Sequence, residues 1–238
     1  MPSGRGTAWW SEGWRLFTAA PGVWIAITVI FVVLMVMITF IPFLGTLATT
    51  LLTPVFAGGV MVGCRALDRG GQLTIGHLFA SFSDRLSPLI IVGVLYLVGT
   101  CIIAILVFGV LLGSVGMAGM GMLLGGDPLE AGFGMLAGLG VGALIALLIA
   151  TLVGIPLMMA YWYAPALVVF RNDEPIAAMK ASFHACLVNV WPMFVYSLVG
   201  LVFAIVASIP LGLGWLVLAP VFAASVYASY KDIFGLPD

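Results

Sequence analysis

The sequence predicts an all-α protein that crosses a membrane several times. Of its 238 residues, 63% are hydrophobic and 7% are charged, whereas a soluble globular domain has about 45–50% and about 25%. So few charges cannot cover a water-exposed surface of this size, and we therefore expect lipid to surround most of the chain. Charged residues are absent from four long stretches, which are 16–64, 86–126, 131–170 and 181–230.

These stretches predict six membrane spans. A helix needs about 20 residues to cross a hydrocarbon layer of ~30 Å, so the first and last stretches are each long enough for two crossings. Proline and glycine interrupt them at 41–45 and 209–214, where we expect turns. Each middle stretch supplies one crossing. The predicted spans are 22–41, 46–64, 88–112, 134–158, 192–209 and 213–230.

The charges predict the orientation of these spans. With six spans, all eight Lys and Arg residues fall on one side, and the other side carries only Asp127 and Glu130, which we interpret as a solvated loop. Basic loops are retained in the cytoplasm, so we expect both termini there. Residues 1–20 lack the apolar core and cleavage site of a signal peptide, and we expect the first span to remain as a signal anchor.

An internal repeat is visible in the sequence. Leu-Thr-Pro-Val-Phe-Ala at 52–57 recurs as Leu-Ala-Pro-Val-Phe-Ala at 218–223, and a base, Arg65 or Lys231, follows eleven residues after each proline. We interpret the chain as a single membrane domain of three units, each an interfacial helix followed by a two-span hairpin. The units are about 8–70, 74–172 and 175–235.

The interfacial helices are predicted from apolar residues at helical spacing. We expect them to lie at the cytoplasmic interface with the apolar face on lipid; alternatively, they pack on one another as a cap. Their apolar stripes are Trp10, Trp14 and Phe17 in the first, Ile75, Leu78, Phe79, Phe82 and Leu86 in the second, and Ile176, Met179, Phe183 and Leu187 in the third, which starts at Pro175.

The segment 109–142 is rich in glycine and departs from the repeat. Gly109 and Gly113, and likewise Gly134, Gly138 and Gly142, recur every four residues, so they fall on one helix face. Such faces allow two helices to approach closely. We predict that they pack the third span on the fourth, or two protomers on each other.

The same segment carries four methionines, Met117, Met120, Met122 and Met135, on the predicted non-cytoplasmic side. Thioethers can select Cu(I), which makes copper handling a hypothesis. Methionine is also a common gap filler in apolar packing, and we favour that interpretation, so we expect no metal site.

No acid or base lies inside a predicted span, which argues against a proton pump, an antiporter or a carrier of charged solutes. A site built from unwound backbone would escape this argument. Pro156 inside the fourth span and Pro165 just after it could make such a break, with Gly154 and Pro156 as the kink; we favour a kink that fits helix packing.

Residues for catalysis are sparse. The two histidines, His77 and His184, occupy different positions in the repeat, and the three cysteines have no ligand spacing and are interpreted as small apolar residues. No protease, P-loop or kinase motif is present, and a net charge of −1 gives no field for nucleic acid. We expect no enzymatic activity, no cofactor and no nucleic-acid partner.

The paired Leu-x-Pro-Val-Phe-Ala segments, the Ala-Ser-Phe segments at 80–82 and 181–183 and the Gly-Trp-Arg-Leu-Phe segment at 13–17 resemble a family of uncharacterised six-span inner-membrane proteins of proteobacteria. The layout is also similar to the membrane domain of some glycerophosphodiester phosphodiesterases, whose catalytic domain has no counterpart here. The resemblance implies a fold and an inner-membrane location, and it carries no catalytic residue.

We therefore predict an accessory or scaffold protein whose partners are membrane lipids, other membrane proteins or a second copy of itself. A transporter or channel for a neutral or lipid-like solute is the alternative. A transporter should have a cavity lined by polar atoms or unwound backbone, whereas a scaffold should be packed through its centre.

Overall fold

The computed structural model describes residues 1–42, 44–123 and 128–235. Of residues 118, 121–123, 128–131 and 135 it describes the backbone only. Regular structure in these ranges is entirely helical. The elements are α1 (Arg5–Ala19), α2 (Pro21–Thr39), α3 (Leu44–Asp68), a 3-10 turn (Ile75–Phe79), α4 (Ser81–Asp84), α5 (Leu86–Leu123), α6 (Pro128–Trp162), α7 (Ala164–Arg171), α8 (Pro175–Val188), α9 (Val190–Ser208) and α10 (Trp215–Phe234).

A helix covers each of the six predicted spans, and within the described residues five stretches are long and apolar enough to cross a membrane. The helix that covers the sixth predicted span, α10, is not among them. Its second half carries the polar residues Tyr227, Ser229, Lys231 and Asp232. Several membrane-capable helices are thereby confirmed, and the count of six stays a prediction. The five stretches are Pro21–Thr39, Leu44–Asp68, Leu86–Met117, Gly132–Arg171 and Val190–Ser208.

Both predicted turns are present. The helix α2 ends at Thr39, and α3 begins at Leu44. Between α9 and α10, Leu211 and Gly212 have φ angles of 52° and 83°, a left-handed conformation that glycine adopts without steric cost. At Gly214 a Cβ atom would lie 2.5 Å from the Cα of Ala207, so this turn also requires a residue without a side chain.

The residues fall into two compact units, of which the first comprises 1–94 and 159–235. Its core contains one face of α1, the second halves of α3 and α10, and most of α7. In this unit α1 packs on α9 and α10. Trp10 stacks on Tyr196 with ring centroids 4.9 Å apart and donates its indole N–H to the carbonyl of Tyr196 at 3.0 Å.

This position of α1 differs from the predicted interfacial one. Trp10 and Phe17 of the predicted apolar stripe are buried in protein, and only Trp14 is exposed. Gly6 and Gly13 explain the difference, because both face the backbone of a neighbouring helix at distances that no side chain fits. Close packing on α9 and α10 therefore replaces contact with lipid.

The second predicted interfacial helix, 75–86, is not continuous. It consists of the 3-10 turn and the single turn α4, and Arg85 leaves the helical conformation. Leu78 is fully buried. At Gly59 of α3 a Cβ atom would lie 2.6 Å from the carbonyl oxygen of Leu78, so the tight 3-10 backbone lies directly on α3.

The second unit comprises residues 95–158. Its described helices are the C-terminal part of α5 and most of α6. Gly99 lies against Leu157, and Ser114 lies against Gly142, so the two segments run antiparallel. Most of its described apolar side chains are exposed, as expected for segments surrounded by lipid.

Candidate functional site

The interior of the first unit contains hydroxyl groups that bind one another. Ser225 and Ser229 lie one turn apart on α10 and are fully buried. The Ser225 Oγ atom lies 2.6 Å from the hydroxyl oxygen of Tyr196, and the Tyr163 hydroxyl donates to the Ser229 Oγ at 3.1 Å. Each serine also donates to a carbonyl of α10. These buried hydroxyls therefore have partners within the protein.

A third buried serine breaks a helix. The Ser182 Oγ donates to the carbonyl of Met159 at 2.7 Å and accepts the N–H of Tyr163 at 2.9 Å. These are the two groups that an unbroken helix would join directly. A hydroxyl inserted into the hydrogen-bond ladder separates α6 from α7, and it satisfies both freed backbone groups.

Of the two prolines predicted to make a break, Pro165 lies near the observed break and Pro156 does not. The helix α6 continues through Pro156 to Trp162, and the chain bends at Tyr163 instead. Proline removes one N–H donor but inserts nothing into the ladder, whereas Ser182 does. The broken helix exposes no unpaired backbone at Met159 or Tyr163 that could bind a solute.

An ion network joins α1, α3 and α10 at one end of this unit. Asp68, the last residue of α3, accepts hydrogen bonds from Lys231 at 3.0 Å, from Arg15 at 3.0 Å and from the hydroxyl of Tyr227 at 3.2 Å. Lys231 also donates to Glu12 at 2.6 Å. Arg15 and Glu12 lie on α1, so the network ties the first helix to the last.

A second ion pair lies beside this network. The Arg5 guanidinium donates two hydrogen bonds to the Asp232 carboxylate, at 2.6 and 2.7 Å, and the indole N–H of Trp9 donates a third at 2.8 Å. Burial alone would raise the pKa of Asp232. The hydrogen bonds from Arg5 and Trp9 outweigh burial, so the pKa is lowered below its ordinary value.

This lowered pKa predicts a pH-dependent contribution to stability. A carboxyl whose pKa is lower in the folded state stabilises the fold above its unfolded pKa, near 4, and loses that contribution as the pH falls through the folded value. Because the Arg5 side chain is 43% exposed, we expect about 1 kcal/mol. Thermal unfolding of the wild type and Asp232→Asn should differ by this amount at pH 6 and converge below pH 4. An equal difference at pH 3 would contradict the assignment.

The predicted metal candidates are not brought together into a described site. Met117 and Met120 are exposed on α5, and the side chains of Met122 and Met135 lie outside the described residues. In the described part of the chain, no group of three or more His, Cys, Asp or Glu residues could hold a metal ion. Copper binding by thioethers remains an untested hypothesis.

The predicted packing glycines divide into two groups. Gly142 contacts Ser114, whereas nothing lies within 4 Å of a Cβ atom built at Gly109, Gly113 or Gly134. Within the second unit, the close approach of α5 and α6 near Ser114 therefore involves Gly142. Packing of the open glycines against a second protomer stays a prediction, as does any role of Gly138.

The remaining candidates have structural surroundings. The His77 ring accepts the N–H of Thr74 at 3.0 Å and so closes the start of the 3-10 turn, and His184 is exposed on α8. Cys64 and Cys186 are buried and free, and Cys101 is exposed. Asp127 and the side chain of Glu130 lie outside the described residues.

Comparison with known proteins identifies one relative that agrees with these observations. The chain is 28% identical to a probable inner membrane protein of Burkholderia thailandensis, over 98% of this chain and 92% of that protein. No protein-family model and no solved structure matches the chain. The chain is therefore a membrane protein with several membrane-capable helices, similar to a bacterial inner membrane protein whose name assigns no activity.

Proposed function

We propose that this chain is a six-span inner-membrane protein with both termini in the cytoplasm, and that it acts as a non-catalytic scaffold through contacts with lipids and other proteins. The observation that carries the proposal is the pairing of most buried hydroxyls; of the buried serine and tyrosine hydroxyls in the described residues, those of Ser81 and Tyr230 lack a partner. Tyr163, Tyr196, Ser225 and Ser229 bind one another, and Ser182 satisfies the broken helix. A neutral solute would have to displace these bonds.

The arrangement of the interfacial segments supports the three-unit repeat. The second segment places Ser81 against Gly58 of α3, and the third binds the end of α6 through Ser182. The first segment, α1, places Gly13 against α10. Each segment thus packs on the second helix of another unit, and α1 joins the first unit to the last. This cyclic pattern favours α10 as the sixth span, although its polar second half is less apolar than the other five.

The surface of α8 supports contact with lipid. Its buried face consists of small residues, among them Ala178 and Ser182, whereas the larger Ile176 and Leu187 point outward and are exposed. Two exposed apolar residues with a base, Lys180, on the same helix suit the boundary between headgroups and acyl chains, although Met179 and Phe183 of the predicted stripe are half-buried. Ile176 and Leu187 support the predicted interfacial orientation of the third segment.

The experiment combines topology with transport. A periplasm-active reporter fused after Gly126 should be active, and the same reporter after Gly235 should be silent. Proteoliposomes should show no swelling with glycerol or urea beyond that of empty liposomes. Swelling of wild-type proteoliposomes, at a rate that Tyr196→Phe changes, would favour the transporter instead. That substitution removes one paired interior hydroxyl and keeps the ring. A silent reporter after Gly126 would overturn the topology.

The scaffold role itself needs a positive readout. Extraction of the native membrane into polymer nanodiscs, followed by mass spectrometry, should recover a reproducible set of proteins and lipids with the wild type. Ile176→Ser with Leu187→Ser should reduce this set, because both side chains lie on the exposed surface. The matched control is Ala178→Ser, on the buried face of the same helix. A wild type that emerges without companions would contradict the scaffold.

A further inference from the structure

Tyr230 on α10 carries a hydroxyl group that the protein leaves unpaired. The residue is 0% exposed, and its hydroxyl oxygen has no hydrogen-bond partner. The other large buried tyrosines differ, because the hydroxyls of Tyr163, Tyr196 and Tyr227 each bind a side chain. A buried hydroxyl without a partner is uncommon and calls for an explanation.

Two arginines lie near this hydroxyl. The guanidinium carbon of Arg65 lies 4.6 Å from the ring centroid of Phe170, and that ring lies 5.3 Å from the ring of Tyr230. Arg171 follows Phe170 and ends α7. The charges of both arginines act on the Tyr230 hydroxyl, as does the opposing charge of Asp173. The Arg65 guanidinium of α3 thus lies on the Phe170 ring that packs against Tyr230 of α10, and Arg171 stands next to Phe170 in α7.

These arginines differ from three other bases at this end of the unit. Arg5, Arg15 and Lys231 each form an ion pair with a carboxylate. In the part of the chain that the structure describes, Arg65 and Arg171 form no ion pair. Both stand in the last turn of a helix, where a base is favoured by the helix dipole. The helix dipole explains why an arginine is favoured at each of these positions. It provides no hydrogen-bond partner for the Tyr230 hydroxyl.

We propose that Arg65, Arg171 and the Tyr230 hydroxyl form a binding site for a phosphate group, carried by a membrane phospholipid or by free phosphate. Guanidinium groups bind phosphate oxygens through paired N–H donors, and the tyrosine hydroxyl supplies one more donor. Asp173 reduces the local charge to about +1, which suits a singly charged phosphodiester better than a doubly charged monoester. The lipid source rests on the proposed topology, which places the site at the level of the headgroups.

The test uses the full chain purified in detergent and native mass spectrometry. The probes are phosphatidylglycerol, diacylglycerol as the matched lipid without phosphate, and inorganic phosphate. We expect the wild type to retain one phosphatidylglycerol and no diacylglycerol. Arg65→Gln, Arg171→Gln and Tyr230→Phe should each weaken retention about ten-fold, and Asp173→Asn should strengthen it. Phosphate binding with the same dependence on these variants would identify the free anion as the source.

Arg85→Gln is the charge-matched control, because Arg85 is also outside any ion pair in the described residues and belongs to none of these three elements. Tyr230→Phe removes a single oxygen atom, so its unfolding temperature without lipid should equal or exceed that of the wild type. Phosphatidylglycerol should raise the unfolding temperature of the wild type and not of Tyr230→Phe.

Equal retention of diacylglycerol, wild-type affinity in Tyr230→Phe or an equal loss in Arg85→Gln would overturn the site. So would a wild type that binds neither phosphatidylglycerol nor phosphate. The reporter and swelling experiments use none of these residues, so failure of the phosphate site and failure of the proposed scaffold are distinguishable.

Discussion

Gly13→Val should detach α1 from α10 and destabilise the first unit by about 3 kcal/mol. A Cβ atom at this position would lie 2.7 Å from the carbonyl oxygen of Val221 and 2.8 Å from the amide nitrogen of Ser225. Backbone atoms cannot rotate aside as a flexible side chain can, so the two helices must separate. Thermal unfolding in detergent measures the loss, and a red shift of tryptophan fluorescence should report the exposure of Trp9 and Trp10.

Gly22→Val is the matched control for this prediction. Nothing lies within 4 Å of a Cβ atom built at Gly22, which also stands in a helix, so the same three carbon atoms are added without a clash. We expect a change below about 1 kcal/mol, since only helix propensity is altered. Equal unfolding temperatures for the two variants would show that α1 does not pack on α10 at Gly13.

Asp68→Ala should have the second largest effect, a loss of about 2–3 kcal/mol. The Asp68 side chain is 12% exposed and accepts from three donors, so its removal leaves Arg15 and Tyr227 without this acceptor. Lys231 keeps Glu12 as its partner, which limits the cost. Denaturation in detergent at pH 7 measures the effect.

The control for Asp68→Ala is Asp84→Asn, which changes an exposed carboxylate outside any ion pair in the described residues and should alter stability by less than about 0.5 kcal/mol. A double-mutant cycle sharpens the test. Asp68→Ala combined with Lys231→Met should cost less than the sum of the single substitutions, because each removes the same contact. Additive losses would mean that the two side chains are not coupled.

The helices of this protein could be predicted from its charges. Hydrocarbon excludes ionised side chains, so the uncharged stretches mark helices to within a few residues, and Pro42 and Gly212 mark the turns. The same argument is less informative for α10. Its uncharged first part predicts a span, yet the whole helix is not among the five membrane-capable stretches, and the structure places Tyr227 and Tyr230 in a core shared with α1 and α7.

The candidate sites were less predictable, because they depend on contacts between distant segments. Ser182 meets Met159 across 23 residues, and Arg5 meets Asp232 across 227. The repeat aligned Ser182 with Ser81, but it could not show that only Ser182 enters a helix ladder. One signal in the sequence was the four-residue spacing of Ser225 and Ser229, which places both on one face of a helix. That spacing was overlooked in the sequence analysis.

The serine that separates α6 from α7 also orders events during biosynthesis. The chain emerges from the ribosome with its N-terminus first, so Met159 and Tyr163 are made before Ser182 exists. Until then the hydroxyl that bridges these two backbone groups is missing. The bend at Tyr163 therefore gains its bridging hydroxyl only when α8 has been made, so a contact within an early segment is completed by a residue translated later.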